Sequence, residues 1–139
     1  MPLRWPKAVS SPSPEADFAR SLVGKARDDL TALVVLDERG GISDAVLGFH
    51  AQQAVEKSLK ALLVAAGWEI RHTHDLRFLV EQADVERLEL PAAIADSHWL
   101  TPWAVELRYD DFSNEPLDRE RALATAAAAV ELAEAQLLP

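Results

Sequence analysis

The chain has 139 residues, of which 49% are hydrophobic, so it can form one domain around a core of its own. It contains no cysteine, which excludes disulfides and thiolate metal sites and agrees with the reducing cytoplasm in which we expect the protein to work. Its net charge of −9 opposes non-specific binding of nucleic acid, and no apolar run approaches the ~20 residues of a membrane span.

The first predicted helix follows a leader rich in serine and proline. We expect residues 1–13 to be a flexible leader and residues 14–139 to form the helical domain. Ser13 is a suitable N-cap, and a proline follows it at the first helical position. This helix is expected to end at Arg39, because the next two residues are glycines.

Two further helices are predicted in the middle of the chain. The second covers residues 43–66 and stops at Gly67, because glycine commonly follows the C-terminus of a helix. A connector then leads to a third helix over residues 74–83, for which Thr73 is the predicted N-cap. The pattern therefore predicts one long helix followed by one short helix.

The last third of the chain predicts two more helices. Pro91 begins a fourth helix over residues 91–108, which Pro102 is expected to kink or interrupt. Pro116 precedes a fifth, alanine-rich helix over residues 117–138. No strand pair is indicated. We therefore predict an all-α fold, an up-and-down antiparallel helical bundle of four long helices plus one short helix.

Polar side chains form one stripe along the second predicted helix. At ~100° per residue, its histidine, one glutamine and its two lysines align, although a helix that only covers a core has no need of such a row. Lysine and arginine bind phosphate, glutamine can read a base edge, and a histidine at a helix start lies beside N–H groups that favour anions. The candidate residues for a nucleotide or phosphate site are His50, Gln53, Lys57, Lys60, His74 and Arg108.

A second interpretation of the same residues stays open. In it, Glu56, Asp75 and Asp110 pair with lysines and arginines, while Gln53 and His50 form hydrogen bonds between helices. Such a polar network fixes the register of packed helices and performs no chemistry. His72, His74 and the acids beside them match no strong metal motif, so we predict neither a metal site nor a cofactor.

The second helix is also apolar on more than one side. Phe49, Leu59 and Leu63 lie away from the face that carries Leu62. A helix with this pattern is either central in its bundle or covered by a second subunit. We expect a homodimer whose interface includes Phe49, Leu59 and Leu63.

Three stretches of the sequence resemble one family. The helix segment His-Ala-Gln-Gln-Ala-Val-Glu-Lys-Ser-Leu-Lys-Ala-Leu over residues 50–62, the segment Thr-His-Asp-Leu over residues 73–76, and the pair Arg108-Tyr109 are similar to motifs of HEPN domains (higher eukaryotes and prokaryotes nucleotide-binding). The resemblance implies a helical bundle that is usually dimeric. Many prokaryotic members are encoded beside a minimal nucleotidyltransferase, and some of these pairs act as toxin and antitoxin.

The resemblance also shows which part of the family's ribonuclease motif this sequence lacks. Toxic members of the family are metal-independent ribonucleases with an arginine followed four to six residues later by a histidine. No histidine follows Arg108 here, although Asp110 could accept a proton, so these two residues are the catalytic candidates that remain. A carboxylate would, however, repel the phosphate that a cation should stabilise. In some members the transferase adds AMP to a tyrosine at this place, which implies Tyr109 as a candidate modification site.

These observations favour a protein that is not an enzyme itself. We expect a dimeric nucleotide- or substrate-binding partner of a minimal nucleotidyltransferase, in a pair of the toxin–antitoxin kind. One alternative is an RNA endonuclease centred on Arg108, with a histidine such as His50 or His74 supplied from elsewhere in the fold. The other alternative is a free-standing module that binds a nucleotide or RNA.

Overall fold

The structure is a computed structural model that describes residues 13–104 and 115–139. Within these ranges all regular structure is helical, which confirms the predicted all-α bundle, and no described helix is long and apolar enough to cross a membrane. The elements are α1 (Pro14–Arg39), α2 (Asp44–Ala65), α3 (Leu76–Val85), α4 (Ala92–Ala95), a 3-10 helix (Ser97–Trp103) and α5 (Arg119–Leu137).

Helix α1 has the bounds that its sequence predicts. The Ser13 hydroxyl accepts a hydrogen bond from the Ala16 N–H at 3.0 Å, which caps the first turn. At the other end the Gly40 N–H donates to the Leu36 carbonyl, and Gly40 has a φ of 74°. This left-handed conformation is easy for glycine, so α1 stops there.

Helix α2 is the centre of the bundle. It packs against α1, α3, α5 and the 3-10 helix, and 15 of its 22 residues are buried. Leu59 and Leu63 are 1% and 0% exposed inside a single chain. The prediction that these two leucines form a dimer interface is therefore wrong, because the other helices of the same chain already cover them. Phe49 is only partly buried.

Helix α3 begins two residues later than predicted, and its N-cap is Asp75 and not Thr73. The Asp75 carboxylate accepts from the backbone N–H of Arg77 and, more weakly, from that of the next residue. The N–H of Leu76 donates to the Thr101 hydroxyl at 3.2 Å. Protein groups therefore already accept from these backbone N–H groups, which are the donors that an anion beside His74 would need.

The predicted fourth helix is divided in the described part of the chain. Residues Ala92–Ala95 form one α-helical turn, and the chain then continues as the 3-10 helix, which contains Pro102. Proline lacks the N–H that would continue an α-helical ladder, so a long α-helix through Pro102 is unfavourable. The rest of this prediction, residues 105–108, lies outside the described residues.

The 3-10 helix approaches α2 at a glycine. A Cβ atom built on Gly48 would lie 2.5 Å from Cε3 of Trp103. The indole therefore lies directly against the α2 backbone, and only glycine leaves room for it. This contact positions the end of the 3-10 helix on the first half of α2.

The start of α5 is tied to the start of α2. Asp44 accepts from the backbone N–H of Leu117 at 3.0 Å and from the Arg119 Nε at 2.8 Å. Arg119 also donates to the Ile42 carbonyl at 2.9 Å, just before α2. These bonds set the relative position of the two helices, and Asp118 caps α5.

An ion pair joins α1 to the last turns of α5. The Arg27 Nε donates to Glu134 Oε2 at 2.9 Å, and a second guanidinium N–H donates to the other carboxylate oxygen. This hydrogen bond holds the pKa of the Glu134 carboxyl below its usual range. Both side chains are partly exposed, so water screens the pair and its contribution to stability is small.

Glu134→Gln is expected to lower the free energy of unfolding by about 0.5 kcal/mol near neutral pH. Because the carboxyl has a lower pKa when folded, the pair stabilises the fold above the unfolded pKa of ~4.3, and this contribution is lost as the pH falls through the folded value. The variant and the natural protein should be compared by urea denaturation at about pH 7 and about pH 3. The difference between their free energies of unfolding should be smaller at the lower pH. Glu81→Gln, at an exposed position of α3, is the control. An equal loss at both pH values would contradict the pairing.

Candidate functional site

The polar stripe of α2 meets two buried carboxylates. Gln53 and Lys60 are 9% and 8% exposed, while His50 and Lys57 lie at a partly open edge of the helix. Asp29 of α1 faces one part of the stripe, and Glu56 of α2 faces the other part. The predicted row of side chains is therefore divided between two clusters.

The first cluster connects α1 and α2. The Asp29 carboxylate, in a residue 8% exposed, accepts from the Lys57 Nζ at 2.6 Å. Its other oxygen lies 2.9 Å from the His50 Nδ1, and the His50 ring stands edge-on to that of Phe49. An anion placed between two cationic or polar donors of the next helix holds the two helices in register.

The second cluster lies around Glu56, which is 4% exposed. Its carboxylate accepts from the Lys60 Nζ and from the Gln52 Nε2, both at 3.0 Å. The His74 Nδ1 lies 2.8 Å from the same carboxylate. Three side chains, two from α2 and one from the connector before α3, therefore surround the Glu56 carboxylate. A buried carboxylate needs such hydrogen-bond partners, because burial removes its contacts with water.

Gln52 extends this cluster in both directions. It is fully buried, donates to the His74 carbonyl at 3.1 Å, and accepts from the Gln53 Nε2 at 2.7 Å. The connector before α3 is thus bound to α2 through both its side chain and its backbone. The two adjacent glutamines work as one bridge between the stripe and this connector.

The arrangement of these helices agrees with a comparison of the sequence with protein families. The family model of the HEPN domain matches residues 19–136, nearly the whole chain. The chain belongs to the HEPN domain family. No curated protein and no solved structure matched the chain. Membership of the HEPN family implies a nucleotide-binding or ribonuclease-like function at the level of the class.

The structure divides five of the six residues predicted for the HEPN phosphate site between two clusters. His50 and Lys57 share Asp29, whereas Gln53, Lys60 and His74 belong to the cluster around Glu56. The sixth residue, Arg108, lies outside the described residues, as do the other catalytic candidate Asp110 and the candidate modification site Tyr109. The two clusters are the part of the predicted site that lies within the described residues.

The charges of these clusters compensate one another. The two lysines each contact a carboxylate within 3.0 Å, so their positive charges are already balanced. A phosphate that bound the stripe would have to compete with Asp29 and Glu56 for the same ammonium groups. The geometry of the described residues thus favours a polar network between helices over an open anion site.

Asp29 and Gln52 are the members of the HEPN network that the sequence interpretation missed. Asp29 lies three residues after Ala26 and four before Leu33, both buried, so it occupies a core position of α1. An acid at such a position indicates a buried partner of opposite charge. That signal was present in the sequence, whereas the burial of Gln52 depends on how the connector folds.

No group of three or more histidine, cysteine or acidic side chains that could hold a metal occurs within residues 13–104 and 115–139. His72 is exposed, and His74 is bound to Glu56 on one side. The described clusters consist of hydrogen bonds and ion pairs among side chains of α1, α2 and the connector before α3.

Proposed function

We propose that this HEPN protein is a dimeric, non-catalytic partner of a minimal nucleotidyltransferase, which binds the transferase or its nucleotide substrate in a pair of the toxin–antitoxin kind. One observation supports it most: both lysines and the histidine of the α2 stripe, together with His74 of the connector before α3, are paired with carboxylates. Residues held in this way build a stable surface for a partner and leave little free charge for catalysis on phosphate.

The sequence after Arg108 supports the same proposal. RNA cleavage without a metal needs one group to take the 2′-hydroxyl proton and another to protonate the leaving oxygen. The family's ribonucleases use a histidine here, and this chain has only acids, an aromatic pair and small polar residues before Glu115. Acids at this place repel the phosphate, which makes a catalytic role unfavourable.

The test is co-expression with a minimal nucleotidyltransferase encoded by a neighbouring gene, followed by size-exclusion chromatography with light scattering. We expect one complex that contains both chains, and each protein expressed alone serves as the control. Separate elution of two folded proteins at micromolar concentration would contradict the proposal.

The dimer in this proposal has only Phe49 left of its three predicted interface residues, since Phe49 is partly buried in the single chain. Phe49→Glu is expected to leave the helical content unchanged and to halve the molar mass measured by light scattering. Phe49→Leu is the matched control and should keep the dimer. A variant Phe49→Glu with unchanged mass would show that this face does not join two copies.

A ribonuclease is the second candidate, and His74 is the observation in its favour. Its side chain is 67% exposed while its Nδ1 lies 2.8 Å from the Glu56 carboxylate, so this imidazole is held at the surface, where a substrate could reach it. In this case expression should arrest growth, and both Arg108→Ala and His74→Ala should relieve the arrest. Arg77→Ala, at an exposed position of α3, should not relieve it.

A further inference from the structure

The chain has four histidines, and their surroundings differ in two respects. The His74 side chain is 67% exposed, and its Nδ1 lies 2.8 Å from the buried Glu56 carboxylate. His50 has a similar contact with a carboxylate of α1, but its side chain is only 25% exposed. His72 is exposed and contacts no carboxylate within the part of the chain that the structure describes, and His98 is partly buried. His74 therefore combines a ring that is accessible with a ring that is held.

The contact with Glu56 determines which nitrogen of the His74 ring can react. Nδ1 lies against the carboxylate, so the nitrogen that a reactant can reach from the exposed side is Nε2. The carboxylate itself is fixed, because the Lys60 ammonium and the Gln52 amide donate to it, both at 3.0 Å. A neutral imidazole nitrogen without a proton is a nucleophile, and here it lies at the surface of the bundle.

The backbone around His74 is also held in place. The Gln52 amide donates to the His74 carbonyl at 3.1 Å. The next N–H along the chain, that of Asp75, donates to the Thr73 hydroxyl at 3.1 Å, and Asp75 is the N-cap of α3. Because both the side chain and the backbone are held, the ring loses little conformational freedom when it meets a reactant.

Two bases lie close to His74 along the chain. Arg71 and Arg77 are exposed, three residues before and three residues after it. Neither guanidinium is in an ion pair among the residues that the structure describes. The acid between them, Asp75, accepts from backbone N–H groups at the start of α3. The exposed charge beside His74 therefore suits a dianionic group such as phosphoryl.

We propose that His74 is a phosphoryl acceptor, which takes a phosphoryl group on Nε2 from a small donor of the acyl phosphate or phosphoramidate class. The Nε2 lone pair forms the bond to phosphorus. The bond from phosphorus to the leaving oxygen or nitrogen breaks, and its electron pair leaves with that atom. In the reacting neutral ring the proton is on Nδ1, since the ionised carboxylate beside it can only accept.

The role of Glu56 in this step is to position the ring and to stabilise its charge. After the bond to phosphorus forms, the ring keeps its proton on Nδ1 and is positively charged, directly beside the Glu56 carboxylate. Glu56 does not contact the phosphoryl group and is a positioning residue. The reaction needs neither a second copy of the chain nor a nucleotidyltransferase, so it stands independently of the proposed function.

Labelling with phosphoramidate, a small phosphoryl donor, tests the proposal in the full-length natural protein. We expect the intact mass to increase by one phosphoryl group, located on His74 by peptide mass spectrometry. The initial rate at His74 should be about tenfold higher than at His72, which lacks the carboxylate, and at His50, which is less exposed. Phosphorus NMR should show the phosphoryl group on Nε2.

Two controls distinguish the effect of the fold from the reactivity of an ordinary histidine. In urea, His74 and His72 should react at similar rates, because the contact with Glu56 is then lost. Glu56→Gln keeps the shape of the side chain and removes its charge, so the rate at His74 should fall to about that at His72, while circular dichroism reports whether the variant is folded. Glu81→Gln, at an exposed position of α3, should leave both rates unchanged.

Equal rates at His74 and His72 in the folded natural protein would overturn the proposal. This comparison needs no variant, so it decides the question even if Glu56→Gln does not fold. A phosphoryl group found on Nδ1 of His74 would also overturn it, because the ring would then not be held by Glu56 when it reacts.

Discussion

Gly48→Ala is expected to destabilise the protein by about 2 kcal/mol, although alanine is a better helix former than glycine by ~1 kcal/mol. The added methyl would lie 2.5 Å from Trp103 Cε3 and 2.6 Å from its Cδ2, closer than any real carbon contact. The indole is a rigid ring, so it has to move as a whole and loses its packing on α2. The overpacking therefore outweighs the gain in helix propensity.

The chain offers a matched control for this substitution. Gly24 also lies inside a long helix, but a Cβ there would meet nothing within 4 Å. Gly24→Ala is therefore expected to stabilise the protein by about 0.5–1 kcal/mol. Urea denaturation of both variants measures the two effects with opposite signs. If Gly48→Ala stabilised the fold as Gly24→Ala does, the contact between Trp103 and α2 would be refuted.

Glu56→Ala is expected to destabilise the protein by about 3 kcal/mol, because it leaves Lys60 and Gln52 buried without their acceptor. Exposed acids give no such effect, so Glu81→Ala on α3 should stay within about 0.5 kcal/mol of the natural protein. The comparison distinguishes the loss of stability caused by breaking a buried network from any effect of removing one negative charge. Urea denaturation near neutral pH is the measurement.

A double variant tests whether the same charges act as a pair. Glu56→Leu/Lys60→Met removes both buried charges and keeps most of the volume, so it is expected to recover most of the loss. It should nevertheless weaken the attachment of the connector before α3, because the His74 side chain loses its partner and only the bond from Gln52 to the His74 carbonyl remains of the two. Glu56→Ala with a stability equal to that of the natural protein would contradict the proposed role of this network.

Local signals in the sequence predicted the helix ends that depend on single residues. Ser13 caps α1 and Gly40 ends it, as expected, because capping and left-handed backbone are properties of a few neighbouring atoms. The start of α3 was harder to predict, since Thr73 and Asp75 are both capping residues. At the start of α3 the Leu76 N–H donates a hydrogen bond to the hydroxyl of Thr101, a residue that is distant in the sequence.

The polar stripe of α2 was predicted by helical periodicity, but its partners were not. Periodicity places His50 and Lys57 on one side of one helix, and it contains no information about the helix that packs there. Asp29 becomes their partner only once α1 and α2 are packed together. For the same reason the sequence did not separate a core position from an interface position at Leu59 and Leu63.

The most direct test of the central claim is RNA cleavage by the purified full-length protein in buffer with a chelator, measured beside Arg108→Ala. The claim is that this HEPN domain is not catalytic, because its α2 cations are paired with carboxylates and no histidine follows Arg108. We predict no cleavage by the folded protein and no difference from the variant. Cleavage that disappears in Arg108→Ala would contradict the claim and make the protein a ribonuclease.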